Sequence, residues 1–163
     1  MQSKQQSILL GGLVVGLLST SYLGLINMAC CAGVLIGAVV SVWHYTDTYD
    51  LTIPAGQGAS IGAMAAVVGG LIAFVLNFIL MKMGIRADQV VAEFMLERFR
   101  ENMPAEQYEE AIAKLNEPVT ISNYLKSQWY GANLIIYAVF GAIGGAIGAA
   151  LFKKGGETPE EAI

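Results

Sequence analysis

The residues of types that could do chemistry are few and scattered. His44 is the single histidine, and Asp47 and Asp50 follow it closely in a polar stretch. That set could hold a metal ion or sense pH. One imidazole with two carboxylates is incomplete for either task, and Trp43 and Tyr45 flank it, so the triplet predicts an interfacial anchor with its rings at headgroup depth. Cys30 and Cys31 are the only cysteines. Their adjacency strains an intrachain disulfide, which leaves acylation, metal contact or cross-linking between subunits open beside burial as small apolar side chains. Lipidation at Cys30 finds a small residue, Ala29, in front of it, but Asn27 stands where an apolar residue belongs. Glu97, Glu101, Glu106, Glu109 and Glu110 could pair for acid/base work. At those spacings they read first as a solvated helix face, partly paired with Arg98, Arg100 and Lys114. No nucleophile with its base, phosphate-binding loop or metal set stands out. The expectation is a chain without enzyme activity, cofactor or metal.

The elements that would carry these residues are set by where charge is missing. Gln5 to Thr46, Leu51 to Met81 and Ser127 to Phe152 contain no Asp, Glu, Lys or Arg over 42, 31 and 26 residues. A membrane-spanning helix needs about 20 mostly apolar residues. The second and third stretches can therefore span once each, and the first twice, because 42 helical residues would reach about 63 Å against a hydrocarbon core of about 30 Å. Charged residues make up 13% of the chain, about half the share of soluble domains. The sequence thus predicts an all-α polytopic membrane protein, a single membrane domain over residues 1–163, in contact with the lipid bilayer. Its four transmembrane helices fall near 6–24, 28–45, 57–83 and 129–152. The first break is expected between Tyr22 and Met28, where Ser19-Thr20-Ser21, Gly24 and Asn27 weaken the helix. Cleavage of a signal segment after Ser21 is the alternative, and would leave three spans.

Glycine placement predicts how the spans pack. Small residues recur every four positions: Gly12 and Gly16; Gly33 and Gly37; Gly58, Gly62, Ala66 and Gly70; Gly141, Gly145 and Ala149, with Gly144 and Gly148 alongside. In lipid, where no hydrophobic force joins helices, such faces let backbones approach and drive association. A tight four-helix bundle and a glycine-zipper oligomer lining a pore both fit, with ordinary packing as the first reading. Proton relays and ion-coupled transporters need an ionisable residue buried inside a span, and none is present apart from His44 at the interfacial end of the second. Asn77 and Asn133, with Ser41 and Ser60, are the polar intramembrane candidates, read as interhelical glue or as the lining of a path for a neutral solute.

Fourteen of the 22 charged residues lie between Lys82 and Lys126. Residues 84–128 are expected to form an amphipathic helical insert with apolar stripes Val91-Phe94-Met95-Phe99 and Tyr108-Ile112-Leu115. Pro104 is expected to open its second helix. The acidic tail 155–163 is expected to be disordered. A formal net charge of −4 with no basic face argues against nucleic-acid binding.

Gly12, Gly16, Asn27, Cys30-Cys31, Gly33 and Gly37, with Gly56-Gln57-Gly58-Ala59, the acidic insert and the Gly141 to Phe152 segment, resemble small bacterial four-span membrane proteins of unknown function. The resemblance implies a multi-pass protein of the bacterial inner membrane with both termini cytoplasmic, and it brings no activity. Relatives of that kind carry basic residues after the second helix, where this chain has Asp47 and Asp50. The function expected is structural or interactive, through the bundle and the 84–128 lobe, with a homo-oligomer or another membrane protein as partner. A small channel or permease for a neutral solute is the alternative.

Overall fold

A computed structural model describes residues 3–20, 23, 27, 31–117, 120, 122 and 130–154. Among these residues there are six α-helices: α1 (Gln5–Leu18), α2 (Ala32–Tyr49), α3 (Ala55–Lys82), α4 (Ala87–Phe99), α5 (Ala105–Leu115) and α6 (Tyr130–Leu151), with a 3₁₀ turn at Arg100–Asn102. The chain is all-helical over the described residues.

The ends of the helices follow from local backbone chemistry. The hydroxyl of Thr20 donates to the Leu17 carbonyl at 2.6 Å, so α1 stops at Leu18, well short of residue 24. A short polar side chain that bonds back to the last turn competes with helix continuation. Cys31, with φ 55°, stands in the left-handed region ahead of Ala32, and Asp50, with φ 51°, closes α2 in the same conformation. The second helix is therefore shifted along the chain by about one turn from the expected 28–45 and keeps Thr46–Tyr49 helical. Extended Pro54 precedes α3. At its other end, Gly84 takes φ +85°, the Ile85 amide donates to the Leu80 carbonyl at 2.9 Å, and the Gly84 amide donates to that of Met81 at 3.1 Å. This is the glycine-terminated Schellman arrangement, and it separates α3 from α4. Pro104 lies one residue ahead of α5, in extended backbone.

Helices α1, α2, α6 and α3 pack in that order around a common axis, and α2 also meets α3 across the middle. The register is fixed by close backbone approaches. Gly11 faces Ser41, and Gly37 faces Val15, so α1 and α2 run antiparallel; Gly58 faces Gly145 and Gly70 faces Tyr137, so α3 and α6 do too. Val15, Val34, Ala38, Val42, Ile61, Ala65 and Ala66 fill the axis without solvent exposure. The large side chains lie outside: Leu9, Leu13 and Leu17 on α1, Leu71, Val75 and Ile79 on α3, and Ile135, Val139, Ile143 and Ile147 on α6 are all exposed.

Two helices, α3 over Ala55–Lys82 and the Asn133–Leu151 part of α6, are long and apolar enough to cross a membrane. The first of the four expected spans is shorter than its window, since the 14 residues of α1 extend about 21 Å. The second, α2, ends in the polar run Thr46-Asp47-Thr48-Tyr49. Residues 155–163, expected to be disordered, lie outside the described residues.

Candidate functional site

Four seams between helices define the bundle, and glycine lies in each. In the α3/α6 seam, a Cβ at Gly58 would stand 2.5 Å from the Gly145 carbonyl oxygen and 2.6 Å from Ala149; one at Gly62 would meet the Gly141 carbonyl, and one at Gly141 the Ala66 methyl. Backbone therefore rests on backbone. In the α1/α3 seam, Gly12 lies against Val68 and the Ala65 carbonyl, and Gly16 lies against Ile72. Gly37 meets Val15 in the α1/α2 seam, and Gly148 faces Val42 in the α2/α6 seam, at 3.0 Å from a Cβ position to Val42 Cβ. A Cβ at Gly70 would meet first the Tyr137 ring and a Leu134 methyl, side chains that can rotate. Gly33 approaches the Asn27 carboxamide oxygen, 2.7 Å from a Cβ position.

Gly11 and Gly69 lie outside the runs named from the sequence, yet both are seam residues: Gly11 faces Ser41 and the Gly37 carbonyl, and Gly69, in a second run with Ala65 and Ala73, faces Val15 and the Gly12 carbonyl. The signal that identifies them is the doublet. Consecutive helical residues point about 100° apart, so Gly11-Gly12 opens α1 to both α2 and α3. Likewise Gly69-Gly70 opens α3 to α1 and α6, and Gly144-Gly145 opens α6 to α2 and α3.

Polar side chains gather at the two ends of the bundle. At one end Ser19 is shared: Asn27 donates to its hydroxyl at 2.8 Å and Asn77 donates to its carbonyl at 3.2 Å. Asn77 thereby ties α3 to the end of α1. Replacing it (Asn77→Leu) should lower bundle stability by about 0.5–1.5 kcal/mol, the net contribution of an intramolecular hydrogen bond, read as a lower midpoint of thermal unfolding. An unchanged midpoint would mean the bond contributes nothing. Asn133 lies on the exposed side of α6, as Ser60 does on α3.

At the other end, the Ser3 amide donates to the Tyr49 hydroxyl, which donates to the Ser3 carbonyl, both at 3.1 Å. Lys154 pairs with Asp47 at 2.8 Å, which brings the end of α6 to the end of α2. The hydrogen bond and charge of Asp47 raise the Lys154 amine above its ordinary value. Because the folded value is the higher one, the pair is intact at neutral pH and is lost as pH rises through it. Residues 3, 47, 49 and 154 thus share one end of the bundle.

His44 reaches across the α1/α2 seam, its Nδ1 2.9 Å from the hydroxyl of buried Ser7. It does not form a ligand set with Asp47 and Asp50; no group of three or more metal-ligating side chains occurs among the described residues. Trp43 is 43% exposed, but Tyr45 is buried and meets the Tyr49 ring edge-on. The expected anchor of three rings is therefore divided between surface and core. Cys30 lies outside the described residues; Cys31 is half-buried.

The insert is a helical hairpin. Tyr108 donates to Glu97 at 3.1 Å and stacks under Arg100, Arg100 pairs with Glu97 at 3.6 Å, and Lys114 pairs with Glu110 at 3.0 Å. The bond to Glu97 raises the Tyr108 phenol above its usual value. These carboxylates belong to solvent-exposed pairs, which contribute little individually. The Tyr108, Ile112 and Leu115 stripe is half-buried in the hairpin, whereas Phe94 and Phe99 remain 68% and 54% exposed.

The arrangement defines an all-helical bundle closed by glycine seams, with an apolar exterior and no assembled catalytic set among the described residues. Residues 7–154 match the DUF4199 family, described as a protein of unknown function, and the chain belongs to that family. No curated protein and no solved structure matches the chain.

Proposed function

We propose that this chain is a four-span integral membrane protein of the bacterial inner membrane, without catalytic activity, whose bundle and hairpin serve a structural or interaction role. The supporting observation is the inversion of side-chain size. Gly, Ala, Ser and Val fill most of the inside, where Tyr45, Ile53 and Ile61 are the large exceptions, while Leu and Ile cover the outside of α1, α3 and α6. Water-soluble bundles do the reverse, burying their large apolar residues, whereas a bilayer is as apolar as leucine and leaves packing to small residues. Buried residues make up only 28% of the candidate span in α3 and of that in α6, which again suits a lipid solvent. The short α1 is compatible with crossing through local bilayer thinning. A conduit for a neutral solute is less well supported, because the axis is occupied by Val, Ala and Ile, and α2 meets α3 across it.

Ser3, Asp47, Tyr49 and Lys154 share one bundle end, so in a membrane both termini and the α2–α3 connection lie on one side. We assign that side to the cytoplasm and place the hairpin outside. Reporters active on only one side, fused after residues 20, 50, 84 and 154, test this topology. The expected order is outside, inside, outside, inside. Signals from one side only at residues 20 and 50 would overturn four spans, and a fully inverted order would overturn the orientation alone.

A further inference from the structure

The bundle end that carries Lys153 and Lys154 contains a cleft of about 300 Å³. One wall is the segment leading into α3, Thr52 to Ala55; the other is Ala149, Ala150 and Lys153 at the end of α6. Apart from the Thr52 hydroxyl and the Lys153 ammonium, the side chains of both walls are apolar. The two neighbouring lysines differ in their engagements. Lys154 is held by Asp47, whereas Lys153 is exposed and has no ion-pair partner among the described residues. An ammonium at the rim of an apolar cleft suits an anion borne on an apolar body. The field of α3 acts in the same sense, since this helix begins at the cleft with neither a side-chain cap nor an acidic residue in its first turn. The body of such a ligand has somewhere to lie. Ala150 is exposed, and Ile147 and Ile143, three and seven residues before it, continue the same exposed face of α6.

We propose that this cleft binds the phosphate of a bilayer phospholipid, with Lys153 on the phosphate and the glycerol and first methylenes against Ile53, Pro54 and Ala150. The assignment rests on the bundle being membrane-embedded. It does not depend on which membrane face the end occupies, because both leaflets present phosphate.

Native mass spectrometry of the full chain in detergent, with added phosphatidylglycerol, tests it. The wild-type chain should retain one lipid. Lys153→Ala should weaken retention about tenfold, equivalent to about 1.4 kcal/mol, and Ala150→Trp, which fills the cleft, should abolish it. Lys114→Ala, on the hairpin, should leave retention unchanged, and circular dichroism checks that each variant is folded. Equal retention by wild type and Lys153→Ala, or by folded Ala150→Trp, overturns the proposal. So does stabilisation of the chain by inorganic phosphate as large as that by the lipid, which would mark a simple anion site. Co-flotation with vesicles after alkaline washing reads the membrane assignment separately. A chain that floats but retains no lipid through Lys153 overturns only the cleft, and one that fails to float overturns both.

Discussion

Gly145→Leu should dismantle the bundle. A Cβ at this position would meet the Gly58 carbonyl oxygen, lying 2.8 Å from that carbonyl's carbon and 3.0 Å from the Gly62 Cα. None of these atoms is the end of a flexible side chain, so relief requires the two helices to move apart. Gly58, Gly62 and Ala66 face Gly141, Gly145 and Ala149 along the same seam, and separation at one point withdraws dispersion contacts along all of it. Overpacking a well-fitted interior costs about 1–3 kcal/mol when neighbours can yield. Here backbone must yield, so the loss belongs at or above the top of that range, a large part of the ~5–15 kcal/mol that holds a typical domain together. The expected readout is a polydisperse or aggregated chain after detergent extraction, with no cooperative unfolding transition. Gly56→Ala is the matched control. No atom stands within 4 Å of its Cβ position, its backbone is helical, and stability should rise by about 0.4–1 kcal/mol. If Gly145→Leu melts with the wild-type midpoint, the seam is not what holds α3 to α6.

The small residues of that seam stand four apart in the sequence, but runs of this kind recur along the chain and their spacing does not say which run faces which. Other limits of the sequence are equally specific. Spacing by four reads one face of a helix, whereas the doublets at Gly11-Gly12 and Gly69-Gly70 serve two, so half of each doublet went unassigned. The end of α1 depends on one hydroxyl turning back to Leu17, and the limits of α2 depend on Cys31 and Asp50 adopting the left-handed conformation, which Asp tolerates better than most side chains and Cys does not. Propensity has little to say about either. The Ser7–His44 and Lys154–Asp47 contacts join residues 37 and 107 positions apart. They follow from interhelical register, which appears only once the glycines have set it. Charge-free runs, conversely, mark where the apolar helices lie but do not fix helix length, and α1 and α2 are accordingly shorter or more polar than their windows.

Val139→Arg should separate a lipid solvent from water more sharply than any change inside the bundle. Val139 is 52% exposed near the middle of α6, between exposed Ile135 and Ile143 on the same face. If that face met water, the substitution would fall within about 0.5 kcal/mol of neutral, as exposed positions do. In a bilayer the same arginine sits close to the centre of a span, where insertion is disfavoured by about 2.5–3.5 kcal/mol. Snorkelling moderates that penalty near helix ends but reaches poorly from mid-span. An opposing gain is small, because the exposed side chain leaves no packed cavity behind. The expected result is a marked fall in the alkali-resistant membrane fraction for Val139→Arg, with Val139→Leu behaving as wild type. Phe94→Arg, on the exposed hairpin, should integrate normally, since its site lies outside the proposed spans and an added charge there meets water. Loss of integration confined to the α6 variant would tie the bundle's exterior to lipid. Normal integration of Val139→Arg would mean that this face of α6 does not look onto lipid.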